Sequence, residues 1–320
     1  MALPASITIC EDGPREGFQF EGEGIATADK IRLIDALSLT GLKVIQVASF
    51  VHPKLVPGMA DAEDVVNGIQ LVPGVRYTGL WLNERGFLRA KDVGRLSLRG
   101  TLSFVASEPF CARNVKRTLA ENFAEQRRIA EVYLENGIPL ERASIQAAFG
   151  CNFQGQVETG AVVAIVDQIR DLVTELSLEM PIISLADTMA WATPLAIKRT
   201  IDAIKQKYPE QRLSLHLHDT RGMAIANAVA GMESGVDLFD ASVGGLGGCP
   251  FAGHRGAAGN ICTEDLVFLC EEMGVETGID LDTLIESAKL AEDIVGRPLP
   301  GSVKSGGSLA RFRQVRGEAK

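Results

Sequence analysis

The sequence has little of what marks a membrane, secreted or nucleic-acid-binding protein. No apolar run approaches the roughly 18 residues that span a membrane, and residues 1–8 lack the charged and apolar parts of a signal peptide. Six cysteines are scattered without a CxxC pair, which argues against a disulfide framework or a structural zinc site. The formal net charge of -9 argues against a nucleic-acid partner. We therefore expect a cytoplasmic protein with no membrane or nucleic-acid partner.

The chain does contain a regular alternation of short β-rich runs and amphipathic helical stretches. A strand at residues 6–10, for example, precedes a helix at residues 27–39, and the pattern gives eight strand–helix units in a row. Strands that alternate with helices predict a parallel sheet. Eight units over about 270 residues fit an α/β fold of the closed (β/α)8 type, a TIM barrel, better than an open doubly wound sheet, which is the alternative.

One more amphipathic helix, at residues 281–294, follows the eighth unit. We therefore predict a TIM-barrel catalytic domain over residues 1–297, which includes this additional C-terminal helix. Residues 298–320 are rich in Gly, Ser, Lys and Arg and are predicted to be a flexible tail. Within the barrel domain, one of the helices that follow the strands is expected to be long and to span residues 113–136.

Two of the four histidines, His216 and His218, lie two positions apart near the end of the predicted seventh strand. Because side chains alternate along a strand, both imidazoles face the same side. Paired imidazoles at the carboxyl end of a barrel strand are typical metal ligands. Two hydrogen-bonded core histidines are the alternative interpretation.

Other polar residues also follow predicted strands. Arg15 and Glu16 lie in a charged turn after the first strand, where they can complete a metal site and neutralise an oxyanion, or form a solvated turn. Asp187 ends the sixth strand, where it can orient a ligand or cap a turn. Cys249 lies in a glycine-rich segment that allows close approach to a ligand; an incidental cysteine is the alternative. Asn260 offers an amide oxygen.

These motifs together resemble the hydroxymethylglutaryl-CoA lyase family. Five stretches carry the resemblance, which spans residues 7–295: DGPREGFQ at 12–19, SFVHPKLVP at 49–57, HLHDT at 216–220, GGLGGCPF at 244–251 and GN at 259–260. The resemblance implies a metal-dependent barrel lyase that cleaves a carbon–carbon bond of an acyl-CoA ester by a retro-aldol type of reaction. The products would be acetyl-CoA and a keto acid, which is acetoacetate for hydroxymethylglutaryl-CoA. A homodimer is also expected.

The resemblance further implies roles for individual residues. It implies a divalent cation, Mg²⁺ or Mn²⁺, bound by Glu16, His216, His218 and Asn260. It implies that Arg15 steadies the enolate oxygen and that Cys249 helps to transfer a proton. His216 is a candidate base, and Asp187 matches an active-site aspartate. The expected substrate-binding residues are Gln46, Ser49, Asn83, His52 and Lys54.

Three positions depart from the pattern of these lyases, with Glu16 in place of Asp, Gln46 in place of Glu and Ala186 in place of Gly. Gln46 exchanges an anion for a neutral amide beside the expected reaction centre. Related substrates therefore stay open, such as citramalyl-CoA or a longer 3-hydroxy-3-alkylglutaryl-CoA. A Claisen-type synthase and a non-catalytic acyl-CoA-binding barrel are two further alternatives.

Overall fold

The computed structural model describes residues 3–21, 24–248 and 259–315, in which eight parallel strands form one curled sheet. The order β3-β2-β1-β8-β7-β6-β5-β4 places the first strand between the second and the last. This arrangement confirms the predicted (β/α)8 fold. The strands are β1 (Thr8–Glu11), β2 (Val44–Ser49), β3 (Arg76–Leu80), β4 (Gly100–Val105), β5 (Leu140–Gln146), β6 (Ile182–Asp187), β7 (Leu213–Leu217) and β8 (Leu238–Ala241).

Helices follow the strands and form the outer layer of the barrel. The longer helices pack apolar residues inward; in the second helix, for example, Leu33, Ile34 and Leu37 are fully buried. No helix of the described residues is long and apolar enough to cross a membrane. The helices are α1 (Phe18–Glu21), α2 (Thr27–Ser38), α3 (Ala62–Gly68), α4 (Glu84–Val93), α5 (Glu108–Asn114), α6 (Leu119–Glu135), α7 (Thr159–Glu175), α8 (Pro194–Lys207), α9 (Ala224–Glu233), α10 (Thr263–Met273), α11 (Leu281–Val295), α12 (Val303–Gly306) and α13 (Ala310–Val315).

Side chains close the barrel between β3 and β4, where the described residues form no strand ladder. The indole of Trp81 donates to the hydroxyl of Tyr133 on α6 over 2.6 Å. That hydroxyl donates in turn to the carbonyl oxygen of Thr101 on β4 over 3.2 Å. Gly100 allows this approach, since a Cβ there would lie 2.7 Å from the Tyr133 ring. One helix therefore joins the ends of both strands.

Two local predictions differ from the structure. The helix expected at residues 113–136 is two helices, α5 and α6, because Thr118 begins a new one. The Thr118 hydroxyl accepts from the Glu121 N–H, and the Glu121 carboxylate accepts from the Thr118 N–H, which is a capping box. A short hairpin after β5, in which Gly150–Cys151 pairs with Gly155–Gln156, was not predicted.

The C-terminal part of the chain packs on the barrel beyond α11. Leu299 and Val303 are buried among the core residues, and α12 contacts both α10 and α11. These contacts attach residues 299–306 to the barrel. The division of the chain at residue 297 into a barrel and a flexible tail stays a prediction.

A buried carboxyl group on α10 supports the turn that follows β8. Glu264 Oε2 accepts from the N–H of Gly244 over 3.0 Å, while Oε1 has no partner among the described residues. Burial raises the pKa of Glu264 to about 8, so the folded protein keeps this group protonated at pH 7. Since an unfolded glutamate titrates near about 4.3, the folded state is favoured at low pH. Stability should be lost as the pH rises toward 8.

Glu264→Gln should therefore weaken the pH dependence of stability. The amide cannot ionise, so its contribution to the free energy of unfolding should not change with pH. The wild-type protein should lose on the order of 1–4 kcal/mol of this free energy between about pH 5 and pH 9, and the variant should not. Thermal unfolding across that range measures the difference. Parallel melting-temperature curves for the two proteins would contradict a protonated Glu264.

Candidate active site

Glu16, His216 and His218 converge at the mouth of the barrel. Glu16 lies in the π-helical turn Gly13–Gly17 after β1, and the histidines lie at the end of β7. The two Nε2 atoms are 3.2 Å apart. The Glu16 carboxylate lies 3.4 Å from His218 Nε2 and 3.8 Å from His216 Nε2. One oxygen and two nitrogen donors thus face a common point.

Asn260 adjoins this cluster from the last barrel loop. Its backbone bridges to His218, and its Nδ2 donates to Ser242 Oγ over 2.7 Å. Its Oδ1 is buried and has no partner among the described residues. Gly247 lies between the loops: a Cβ there would be 2.9 Å from Glu16 Cγ and 3.0 Å from Asn260 Nδ2. Only a glycine leaves both side chains in place.

This donor set fits a divalent cation. A carboxylate, two imidazoles and an amide oxygen are ligands that Mg²⁺ or Mn²⁺ accepts. Glu16, His216 and His218 each offer an atom within 4.8 Å of the others. The partnerless Asn260 Oδ1 is explained if it faces an ion, because buried polar atoms are seldom left unpaired.

Arg15 is held in place by three groups beside this cluster. Its Nη1 lies 2.8 Å from Glu16 and its Nη2 lies 3.0 Å from Asp12. Its Nε donates to the side-chain oxygen of Gln46. Burial opposes ionisation of Glu16, but Arg15 and His216 hold the pKa of Glu16 well below its usual range. The guanidinium is therefore fixed beside an ionised carboxylate.

The field of the neighbouring carboxylates favours positive charge at the cluster. Burial disfavours the charged form of His216, but Glu16 and Asp240 outweigh this effect and raise the pKa of His216 to about 9. Asp240 Oδ2 lies 3.2 Å from His216 Nδ1, which leaves Nε2 directed toward His218. The same field would stabilise a metal cation.

Three charged residues of the site were missed as candidates by the sequence analysis. Asp240 accepts from Arg142 Nη1 across the barrel, over 2.6 Å and 2.8 Å, and also contacts His216. Asp12, quoted above only as part of a motif, bonds Arg15. For Asp240 the available signal was a charged residue inside a predicted strand. Arg142 lay just before the predicted strand, and only the structure places it on β5.

A cavity of about 800 Å³ opens beside the cluster. Gln46 lies in its wall, where its Oε1 accepts from Arg15. On the opposite wall Gln146 donates to Ser103 Oγ over 2.8 Å, and Ser144 also lines the space. The cavity therefore presents polar groups next to the guanidinium and the candidate metal ligands.

Known proteins are similar to this chain over most of its length. The model of the family described as HMGL-like matches residues 6–291. The chain belongs to this family. It is 37% identical to the hydroxymethylglutaryl-CoA lyase of Bacillus subtilis, over 94% of this chain and 97% of that protein. It is 36% identical to the human mitochondrial enzyme of the same name, over 94% of this chain and 89% of that protein.

A solved structure supports the same assignment. An HMG-CoA lyase from Acinetobacter baumannii, in complex with coenzyme A and 3-methylmalate, superimposes with a TM-score of 0.85 and 37% identity and covers 97% of this chain and 98% of that one. The HMGL-like chain described here is accordingly a carbon–carbon lyase that acts on acyl-CoA. The lyase family is metal-dependent, and the cluster around Glu16 is a possible metal site in this member.

Four candidate substrate-binding residues of this HMGL-like protein are not among the residues that line the cavity. Asn83 does not line the cavity and caps α4 by accepting from the Gly86 N–H. Ser49 is buried at the end of β2, and His52 and Lys54 are exposed outside the cavity wall. Cys249 lies outside the described residues.

Asp187 caps the turn after β6 with one carboxylate oxygen, and its other oxygen forms no hydrogen bond with the described residues. Its Oδ1 accepts from the N–H groups of Trp191 and Ala192 over 2.7 and 3.0 Å. Its Oδ2 is buried without a partner among the described residues, and burial raises the pKa of Asp187 to about 6. Both interpretations made from the sequence, a cap and a site residue, therefore stay compatible with its position.

His218→Ala should weaken Mn²⁺ binding sharply. Mutation of a residue that only hydrogen-bonds to a metal ligand typically lowers metal affinity by roughly 10–100-fold. Removing a ligand itself should lower the affinity by more than that. Electron paramagnetic resonance of free Mn²⁺ during titration measures the dissociation constant. His52→Ala, at an exposed histidine, is the matched control and should bind as the wild type does. Equal affinity of the two variants would remove His218 from the ligand set.

Proposed function

We propose that this lyase cleaves 3-hydroxy-3-methylglutaryl-CoA, or a close 3-hydroxy-3-alkyl diacid analogue, to acetyl-CoA and a keto acid, with Mg²⁺ or Mn²⁺ bound at the barrel mouth. The observation that carries the proposal is the convergence of Glu16, His216 and His218 beside the fixed guanidinium of Arg15. The named substrate follows from the relatives that are hydroxymethylglutaryl-CoA lyases.

The proposed ligands are Glu16, His216, His218 and Asn260. A divalent cation held by these residues would lower the pKa of the tertiary hydroxyl of the substrate. The Asp12 carboxylate is the proposed acceptor of that proton, because His216 is engaged as a metal ligand and through Asp240, while Asp12 Oδ2 lies beside it, 3.9 Å from His216 Nδ1. Loss of this proton starts cleavage of the adjacent carbon–carbon bond.

Arg15 offsets the charge that forms during cleavage. As the bond breaks, negative charge develops on the thioester oxygen of the acetyl-CoA enolate, and a fixed guanidinium stabilises it without further reorganisation. Contacts with Asp12, Glu16 and Gln46 hold Arg15 in place before substrate binds. Cys249 is proposed to help protonate the enolate carbon, and Asp187 to position groups beside His218.

The acyl group is the least constrained part of the proposal. Gln46 accepts from Arg15 through its oxygen, so its NH2 group is available as a donor to the cavity. A glutamate there would instead give Arg15 a third carboxylate neighbour. This difference favours keeping citramalyl-CoA and longer 3-hydroxy-3-alkylglutaryl-CoA esters as alternative substrates. A role for Ser49, Asn83, His52 or Lys54 in binding substrate, a homodimer and a cytoplasmic location stay predictions.

Purified protein with Mn²⁺ should release acetyl-CoA from hydroxymethylglutaryl-CoA, and EDTA should abolish the release. Citrate synthase with oxaloacetate and a thiol reagent detects the acetyl-CoA formed. Arg15→Lys, which keeps the charge but loses the planar guanidinium, should lower kcat by about 100-fold. The same variant is a control for a contaminating lyase, whose activity the substitution would not change.

Two outcomes would overturn the proposal. No acetyl-CoA from any 3-hydroxy diacid CoA ester would exclude the lyase reaction on these substrates. Consumption of acetyl-CoA with a 2-keto acid, without the reverse cleavage, would indicate a Claisen-type synthase.

Gln46→Glu should change substrate preference. A third carboxylate beside Arg15 removes a donor from the cavity wall and lowers the local positive field, so kcat/KM for different diacid esters should change unequally, by about 10-fold or more for one pair. The measurement is a kcat/KM panel over hydroxymethylglutaryl-CoA, citramalyl-CoA and a longer alkyl homologue. Uniform scaling of all three values would show that this position does not select the acyl group.

A further inference from the structure

The segment at residues 297–303, here called the C-terminal segment, packs against the turn Val243–Gly245 that follows β8. A Cβ on Gly244 would lie 2.6 Å from Leu299 Cδ1, and one on Gly245 would lie 2.8 Å from Pro300 Cγ. Both glycines have positive φ, at 64° and 71°, which disfavours any side chain there. The chain close to its C-terminus therefore determines how the backbone of this turn lies.

The chain just after this turn lies against two of the proposed metal ligands. Gly247, three residues after Gly244, packs against Glu16 Cγ and Asn260 Nδ2. The carbonyl of Gly247 also lies so close to Gly259 that a Cβ on Gly259 would collide with it. The backbone at Gly247 therefore lies directly against Glu16 and Asn260.

A second contact links the C-terminal segment to the element that carries Glu16. Arg297 forms an ion pair with Glu21, its Nη2 facing Oε1, and its Nε lies 3.3 Å from Oε2. Glu21 ends α1, which continues directly from the turn that carries Glu16. The segment therefore touches both loops between which the donor cluster lies.

The C-terminal segment has its own attachments, independent of these loops. The N–H groups of Ser302 and Val303 donate to Asp265 on α10, over 3.1 and 2.8 Å. The Leu299 N–H donates to Glu292 on α11 over 2.7 Å. Truncating the Leu299 side chain leaves all three backbone contacts in place.

We propose that the C-terminal segment is a positioning element for the cation site, in which the Leu299 side chain holds the Gly244–Gly247 backbone against Glu16 and Asn260. The segment is not itself proposed as a ligand of the cation or of the substrate. Its effect is on the arrangement of two ligands, and therefore on metal affinity.

The experiment compares Mn²⁺ affinity in three full-length variants by electron paramagnetic resonance, without any assay of activity. Leu299→Ala should raise the dissociation constant about 10-fold, as loss of an outer support does at other metal sites. Leu299→Met, which refills most of the space, should restore wild-type affinity. Val303→Ala is the matched control, because it truncates a buried side chain of the same segment on α12, which contacts α10 and α11.

The outcomes separate this proposal from the proposed function. If wild-type protein binds no Mn²⁺, the cation site itself is excluded. If wild-type protein binds but Leu299→Ala binds equally well, the positioning role is overturned while the site stands. Equal losses of affinity in Leu299→Ala and Val303→Ala, in step with their melting temperatures, would also overturn it, because general destabilisation would then explain the effect.

Discussion

The balance of charge around Glu16 is the constraint on which the site depends. Three carboxylates, on Asp12, Glu16 and Asp240, are buried or nearly so in the barrel mouth. Burial of an uncompensated carboxylate costs several kcal/mol, so each must meet a positive group. Arg15 contacts two of them and Arg142 the third. A cation between Glu16 and the histidines would add positive charge where these carboxylates converge.

Close backbone approach is the second condition for this arrangement. Gly247 and Gly259 leave no room for a Cβ between the loops after β1, β7 and β8. Because these loops come from three different parts of the chain, their distance is set by what packs behind them. On the β8 side that support includes Glu264, Leu299 and Pro300. The reactive centre and the chain close to its C-terminus are thus parts of one packed unit.

The candidate metal ligands and several other polar side chains of the cavity wall come from different strands of the barrel. Arg15 and the donor cluster lie at one end and match the chemistry of the lyase family. The walls that would face the acyl group carry Gln46, Ser103, Ser144 and Gln146. Their polar atoms present hydrogen-bond donors and acceptors to whatever lies in the cavity. The residues at the reaction centre therefore say less about the acyl group than these walls do.

The sequence by itself determined the fold class, the family and the loops that carry the site. Period-two and period-3.6 patterns mark strands and helices, and the barrel rule then selects the strand ends at which Glu16, His216 and His218 lie. The resemblance to the lyase family implied Asn260 and the full set of metal ligands. Only the tertiary structure decided that Asp240 and Arg142 pair beside His216 and that Leu299 packs on Gly244. Such contacts join residues far apart in the chain, and local patterns carry no record of which distant side chain fills a given space.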